Sequence, residues 1–293
     1  MQLQLNILEA MLYCPYKAWQ LSKLEALEYS TPNPVVLLAS QINQQLAPSE
    51  KISAKLQKQA EALLAETTEL LGKEQPPNFY KIAHCAECKF KNDCHQKLIE
   101  RDCISLLPGM SLKSVLKYHN KGITTITQLS YLFKPRRRRT PNPQSSYLWE
   151  LKALAIREQK TFVIQPPVLN PNPVAIYIDF EGTKDEQHIY LLGGLILKNE
   201  EEPEAFYYWS DNRDDEQANF NQLFKLLIQY PDAEIYHYGS YESKALKQAV
   251  KKWPRSFKQW PAIEKRMVNL LGYLRTHVYP PTYSNGLKEV GVF

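Results

Sequence analysis

Apolar residues recur at helical spacing through the first stretch of the chain: Leu5, Leu8, Met11, Leu12, Trp19, Leu24 and Leu27. This periodicity predicts a helix over 5–28, ended by the breaker "STPNP" at 30–34. Residues 51–72, "KISAKLQKQAEALLAETTELLG", give the clearest amphipathic pattern, with Gly72 as its stop. Between these two segments only "VVLLA" (35–39) reads as a strand. "KEQPPNF" is a loop. Residues 105–133 read as helix, tight turn, helix, and residues 147–159 as a further helix. The basic, proline-rich run "KPRRRRTPNPQSS" (134–146) is a connector, and "QPPVLNPNP" (165–173) a linker where a domain boundary is expected.

The texture then changes. "VAIYIDF", "HIYLLGGLIL" (188–197) and "AFYYWSD" (205–211) predict three strands. "DDEQANFNQLFKLLIQY" (214–230) predicts a helix with acids in its first turn, as the helix dipole favours. "AEIYHYG" (233–239) is a fourth strand, and 240–253 and 261–278 are helices. Strands followed by helix, strand and helices imply an α/β layer fold behind a mainly α-helical front half.

Charge divides the chain at the same place. Residues 1–172 carry 22 Lys+Arg against 14 Asp+Glu, and residues 173–293 carry 14 against 17. The basic front half favours a polyanionic partner such as nucleic acid. No apolar run approaches the roughly 20 residues that span a bilayer, and the N-terminus lacks a signal-peptide pattern. The expected compartment is the cytoplasm, with no membrane partner.

Cys85, Cys88 and Cys94 form C-x2-C-x5-C, with Cys14 in "YCPYKAW" and Cys103 after the cluster. Three cysteines within ten residues of a chain read as cytosolic point to a metal rather than to disulfides. The triplet needs a fourth ligand, for which Cys14, Cys103, His84 and His95 are candidates, and Zn²⁺ is the simplest generic reading. A Cys-Pro helix paired with a late C-x2-C-x5-C also resembles the iron–sulfur staple of RecB/AddB-type nucleases. That resemblance implies a [4Fe-4S] cluster on Cys14, Cys85, Cys88 and Cys94, with Cys103 as a spare. The family's nuclease core lies between those cysteines and needs an aspartate followed by Glu-x-Lys. No aspartate occurs between Cys14 and Cys85 here, so residues 1–104 are expected to keep the staple and lack that active site.

"LLPGMSLKSVLKYHNKGITTITQL", within 105–133, resembles a helix-hairpin-helix element. The resemblance implies a phosphate held at a helix start near Gly109, with Lys113, Lys117 and Lys121 adding charge. Arg136, Arg137, Arg138 and Arg139, in the 134–172 linker and helix, would contact phosphate without reading sequence.

The strand "VAIYIDFEGT" (174–183) ends by placing Asp179 and Glu181 two positions apart. In a strand they project together, about 7 Å apart. Two carboxylates on one face repel unless a cation lies between them. Hard oxygen donors suit Mg²⁺ or Mn²⁺, and a pair of such ions about 4 Å apart can drive phosphodiester hydrolysis. The strand and its hairpin neighbours resemble the DEDD 3′–5′ exonucleases of the RNase H-like fold, and in particular the YprB-type domain. The resemblance covers 173–293. It implies an α/β domain with a mixed central sheet and flanking helices, a third acid at Glu242 in "IYHYGSYESKAL", and His237 and Tyr241 lining the same turn. The family's last motif places an aspartate beyond the "LKEV" helix. No aspartate follows Asp232, so the chain is expected to be a C-terminally truncated member.

The leading expectation is a metal-dependent nuclease, with DNA ahead of RNA as partner. The rivals are a catalytically impaired nucleic-acid-binding module and a zinc-binding interaction protein.

Overall fold

The computed structural model describes residues 3–23, 33–44, 53–135, 147–169, 172–183, 188–199 and 201–293. The chain forms two compact units, Met1–Gln128 and Leu129–Phe293.

The first unit is helical. The pattern expected as one helix over 5–28 is two, α1 (Leu5–Tyr13) and α2 (Pro15–Leu21). Pro15 starts α2, and the residue before a proline is driven out of the helical region, so Cys14 is extended at φ −155° and ψ 108°. "VVLLA" is helix rather than strand. It lies in α3 (Pro34–Asn43), whose start is set by Pro34 at its first position and by Asn33, which accepts a hydrogen bond from the Val35 amide. Helix α4 (Ala54–Leu71) is capped by Ser53. Leu8, Val36, Ala39 and Ala60 are fully buried in the cluster that joins α1, α3 and α4.

A short 3-10 turn (Ala83–Ala86) and α5 (Lys91–Glu100) carry the cysteine triplet. The expected helix, turn, helix over 105–133 is a 3-10 turn (Ile104–Leu106), α6 (Leu112–His119) and α7 (Ile126–Ser130). Gly109 does form the turn, at φ +69°, but the segment before it is a single 3-10 turn and not a helix.

The division between units falls earlier than the linker at 165–173. Helix α8 (Trp149–Glu158) and β1 (Phe162–Val163) belong to the second unit, because Leu151 and Ala155 bury against Tyr279 and β1 pairs antiparallel with a strand near the chain's end. The main sheet begins with β2 (Val174–Gly182), β3 (Ile189–Lys198) and β4 (Glu204–Trp209), an antiparallel meander. Helix α9 (Glu216–Gln229) leads to β5 (Glu234–His237), which runs parallel to β2. Helix α10 (Tyr241–Lys252) follows.

The helix expected over 261–278 is broken into α11 (Trp260–Glu264), β6 (Met267–Asn269), α12 (Leu270–Thr276) and β7 (Val278–Tyr279). Pairing of Met267–Asn269 with β5 overrides the helical pattern there, and Asn269 restarts the helix by capping Leu271. A final turn, α13 (Leu287–Val290), ends the fold.

The five-stranded sheet has the order β4-β3-β2-β5-β6, mixed as expected. Its inner face, led by Ile176, Ile178 and Phe180, packs against α9, α10 and α11 through Leu223, Leu227, Leu246 and Ile263. Each such buried aliphatic side chain contributes about 2 kcal/mol. Buried Glu216 and half-buried Arg266 tie this layer. Glu216 accepts from the Ile189 amide at 2.8 Å and from Lys252 at 3.2 Å. The Arg266 guanidinium donates to the carbonyls of Leu227, Tyr230 and Ala233, closing the end of α9.

Candidate active site

Strand alternation along β2 buries Ile176, Ile178 and Phe180 and exposes Tyr177, Asp179 and Glu181. The two carboxylates therefore share the outer face of the sheet. Across β3 the partner of Asp179 is Gly193 and that of Glu181 is Leu191, so nothing larger than hydrogen flanks Asp179 on that side. The register shifts between Glu181 and Gly182. A Cβ at Gly182 would collide with the Tyr241 hydroxyl and press on the His188 carbonyl at 2.9 Å. The bare backbone at 182 is what lets Tyr241 close over the strand end.

The second half of the site comes from β5 and its turn. Gly239 takes φ +103°, a conformation that side chains resist, and this reverses the chain into α10. Its amide donates to Asn269 Oδ1 at 3.1 Å, and the Tyr238 hydroxyl donates to the Asn285 carbonyl. Held in this way, the turn directs His237 and Glu242 inward. They are 5% and 4% exposed. His237 Nδ1 lies 3.7 Å from Glu242 Oε2, beyond hydrogen-bond length, and neither atom has a hydrogen-bond partner among the described residues. Because β2 and β5 run parallel, both acidic groups sit at the same end of the sheet, where α/β folds commonly bind ligands. Burial pushes the Asp179 carboxyl above its ordinary pKa, the negative charge of Glu242 pushes it further, and the Phe180 amide offsets part of the rise.

An orphaned, buried carboxylate oxygen beside a second carboxylate is a site that lacks positive charge. The donor chemistry fits a hard divalent cation, with Asp179, Glu181 and Glu242 as ligands. The expected gathering of all three acids around one point is not found: among the described residues, no group of three or more His, Cys, Asp or Glu stands ready to hold a metal ion. Asp179 and Glu181 both project from the outer face of β2, while Glu242 is buried and reaches Asp179 electrostatically.

In the first unit, Cys14, Cys85, Cys88 and Cys94 line one cavity of about 490 Å³, together with Tyr16 and His84. The α1–α2 break is what turns Cys14 toward it. Burial raises the Cys14 thiol pKa, reinforced by Cys85 and Cys88 and opposed by the Lys17 and Tyr16 amides. Burial, then Cys88, Asp93 and the other thiols, push Cys94 up to about 11. Four thiols facing one space are a donor set suited to a soft metal or a cluster. Their spacing does not form a ready single-ion cage. Cys103 is buried elsewhere, 3.2 Å from the Ser105 hydroxyl. His84 also faces the cavity, with Lys17 3.2 Å from its Nε2 and Tyr13 stacked on its ring.

Lys113 and Lys117 on α6, with Lys121 in the turn that follows it, border a shallow groove with Leu112, Leu116 and Asn120. Gly109 lies in the turn before it. Arg136, Arg137, Arg138 and Arg139 lie outside the described residues.

Sequence reasoning missed the supports. Asn269, Asn285, Arg266 and the fully buried Lys152 were all passed over. Lys152 carried a signal, a lone cation inside the apolar run "LKALAI".

No helix among the described residues is long and apolar enough to cross a membrane. Residues 176–292 match the RNase_H_2 family model of the RNase_H superfamily. No curated protein matches the chain, and no solved structure does. The second unit thus carries an RNase H-like domain, a fold associated at superfamily level with nuclease activity and nucleic-acid binding.

Proposed function

We propose that the second unit is a metal-dependent nuclease that hydrolyses nucleic-acid phosphodiester bonds, in the manner of 3′–5′ exonucleases. The carrying observation is the buried, partnerless pair of Glu242 Oε2 and His237 Nδ1 at the same sheet end as Asp179. A fold with no use for that charge would be more stable with a neutral side chain at 242. Asp179 and Glu242 would hold Mg²⁺ or Mn²⁺, with Glu181 beside Asp179 as the further ligand. When bound, the cations supply neutralisation of the scissile phosphate and an acidified water. The protein's own contribution is positional. Gly193 leaves the flank of Asp179 open to substrate. Tyr241, seated on Gly182, lines the approach to the strand end. His237 faces Glu242 and limits rotation of its carboxylate.

The first unit, in this reading, is a cluster-stapled module that contacts phosphate. Cys14, Cys85, Cys88 and Cys94 would ligate a [4Fe-4S] cluster, with Zn²⁺ as the alternative. Closing a long stretch of chain from both ends in this way would stabilise the unit. Gly109, Lys113 and Lys117, with the arginine run 136–139, would bind the backbone of DNA in preference to RNA, within the cytoplasm.

A second reading is favoured by one observation: the three acids are not gathered around a point. That suits a catalytically impaired nucleic-acid-binding module. Cleavage of end-labelled single-stranded DNA and RNA with Mn²⁺ separates the two. The nuclease reading expects cleavage by the wild type and loss in Asp179→Asn. Equal cleavage by the two proteins would remove Asp179 from the chemistry, and no cleavage by either alongside intact binding would favour the binding module. Visible absorbance with iron and sulfide content, against zinc content, decides the cluster.

A further inference from the structure

We propose that Lys152 is a positioning residue for the candidate site, holding the His237–Glu242 turn in place through Asn285 and Tyr238. The inference rests on the function proposed above.

Lys152 sits in α8 among the buried residues Leu151, Ala153, Ala155 and Ile156, and is itself 0% exposed. Its ammonium has three protons and three acceptors: the Pro280 carbonyl at 2.8 Å, Thr282 Oγ1 at 3.0 Å and Asn285 Oδ1 at 3.1 Å. Among the described residues no carboxylate pairs with it directly. Glu289 contributes its charge from a distance, while its own oxygens accept from the amides of Tyr283 and Ser284 and from the Ser284 hydroxyl. Burying an ammonium without a counter-ion is costly, and an apolar side chain in this helix would avoid that cost. What the lysine provides that an apolar residue cannot is three donors to a segment, Pro280–Asn285, that lies outside any strand.

Asn285 is where that segment meets the site. Its side-chain oxygen receives Lys152, its Nδ2 donates to the Leu274 carbonyl at 3.3 Å, and its backbone carbonyl receives the Tyr238 hydroxyl. Tyr238 directly follows His237 and precedes Gly239. The turn that aims His237 and Glu242 therefore has two tethers. One is Asn269, through the Gly239 amide. The other is Asn285, braced from behind by Lys152. With the brace removed, the Asn285 carbonyl is free to shift and the Tyr238 tether slackens. Glu242 then loses its registration with Asp179, although no residue touching substrate has changed.

The test uses the full chain, with Lys152→Met, Lys152→Arg and Tyr238→Phe. Native-state hydrogen exchange is read over 236–243, with β2 (174–182) as internal reference. Lys152→Met and Tyr238→Phe are expected to speed exchange over 236–243 by about tenfold, the scale of one lost hydrogen bond, with β2 unchanged. Lys152→Arg is expected to recover part of the protection. In cleavage assays both loosened variants are expected to lose kcat with KM held. Wild-type exchange over 236–243 in a folded Lys152→Met protein would overturn the proposal. If Lys152→Met fails to fold, Tyr238→Phe decides, and wild-type protection there would overturn it equally. Absence of cleavage by the wild type would sink the nuclease reading and leave the exchange result standing by itself.

Discussion

Replacing Glu242 by glutamine separates what the site costs from what it does. Glu242 Oε2 is buried, has no hydrogen-bond partner among the described residues and faces His237 Nδ1 at 3.7 Å. An unsatisfied buried acceptor costs about 1–3 kcal/mol. Glutamine has the same shape, carries no charge and can turn an N–H donor toward the imidazole. It also removes the second of the two causes that raise the Asp179 pKa. Glu242→Gln is therefore expected to stabilise the cation-free second unit by about 1–2 kcal/mol. For a unit of this size that is a rise of about 3–6 °C in Tm. The Asp179 titration should move to lower pH. The same substitution should abolish the Tm increase that Mn²⁺ gives the wild type, along with cleavage. Stability would rise as function falls, the trade expected where a protein keeps strained charge for a purpose. The assay is denaturant and thermal unfolding with and without Mn²⁺, and NMR titration of the Asp179 carboxyl. A Glu242→Gln protein less stable than wild type without cation, with Mn²⁺ stabilisation retained, would refute the reasoning.

Other outcomes follow from the supports. Gly182→Ala should destabilise the second unit by about 1–3 kcal/mol by forcing Tyr241 off the strand end, seen as a lower denaturation midpoint and reduced activity. Arg266→Met should cost about 2–4 kcal/mol in the same measurement, since the carbonyls of Leu227, Tyr230 and Ala233 lose their donor together. Burial lowers the Lys152 pKa to about 8 from the ordinary 10.5. The folded state then sheds its proton before the unfolded state does, so this group's contribution to stability rises as pH climbs from about 8 to 10.5, by up to about 3 kcal/mol. Unfolding free energies measured across that range should show the rise in the wild type and lack it in Lys152→Met.

Where side-chain period and chain direction agreed, the fold was legible. The alternation through "VAIYIDFEG" predicts Asp179 and Glu181 on one face of a strand, and β2 has them together on its exposed face, opposite Ile176, Ile178 and Phe180. The meander and the return through α9 to β5 were readable on the same grounds. The misreadings had local causes. Pro15 split a continuous helical pattern at Cys14, and Asn33–Pro34 turned an apolar pentapeptide into a helix start. Met267–Asn269 is strand because β5 offers it an edge, a tertiary fact that no periodicity carries. At the site, the acids were visible as chemistry at the end of a strand. The asparagines and the lysine that aim them were not. Asn269, Asn285 and Lys152 act across 30 to 133 positions of sequence, and only folding brings such partners together. The four cysteines were legible as a group, while the cavity they share depends on the bend at Cys14.

The most direct test of the central claim is calorimetric titration of Mn²⁺ into the wild-type chain, Asp179→Asn and Glu242→Gln. Saturable uptake by the wild type, lost in both variants, is the predicted result. No uptake by the wild type, or uptake undiminished in the variants, would contradict the claim that these carboxylates are held together to bind cations.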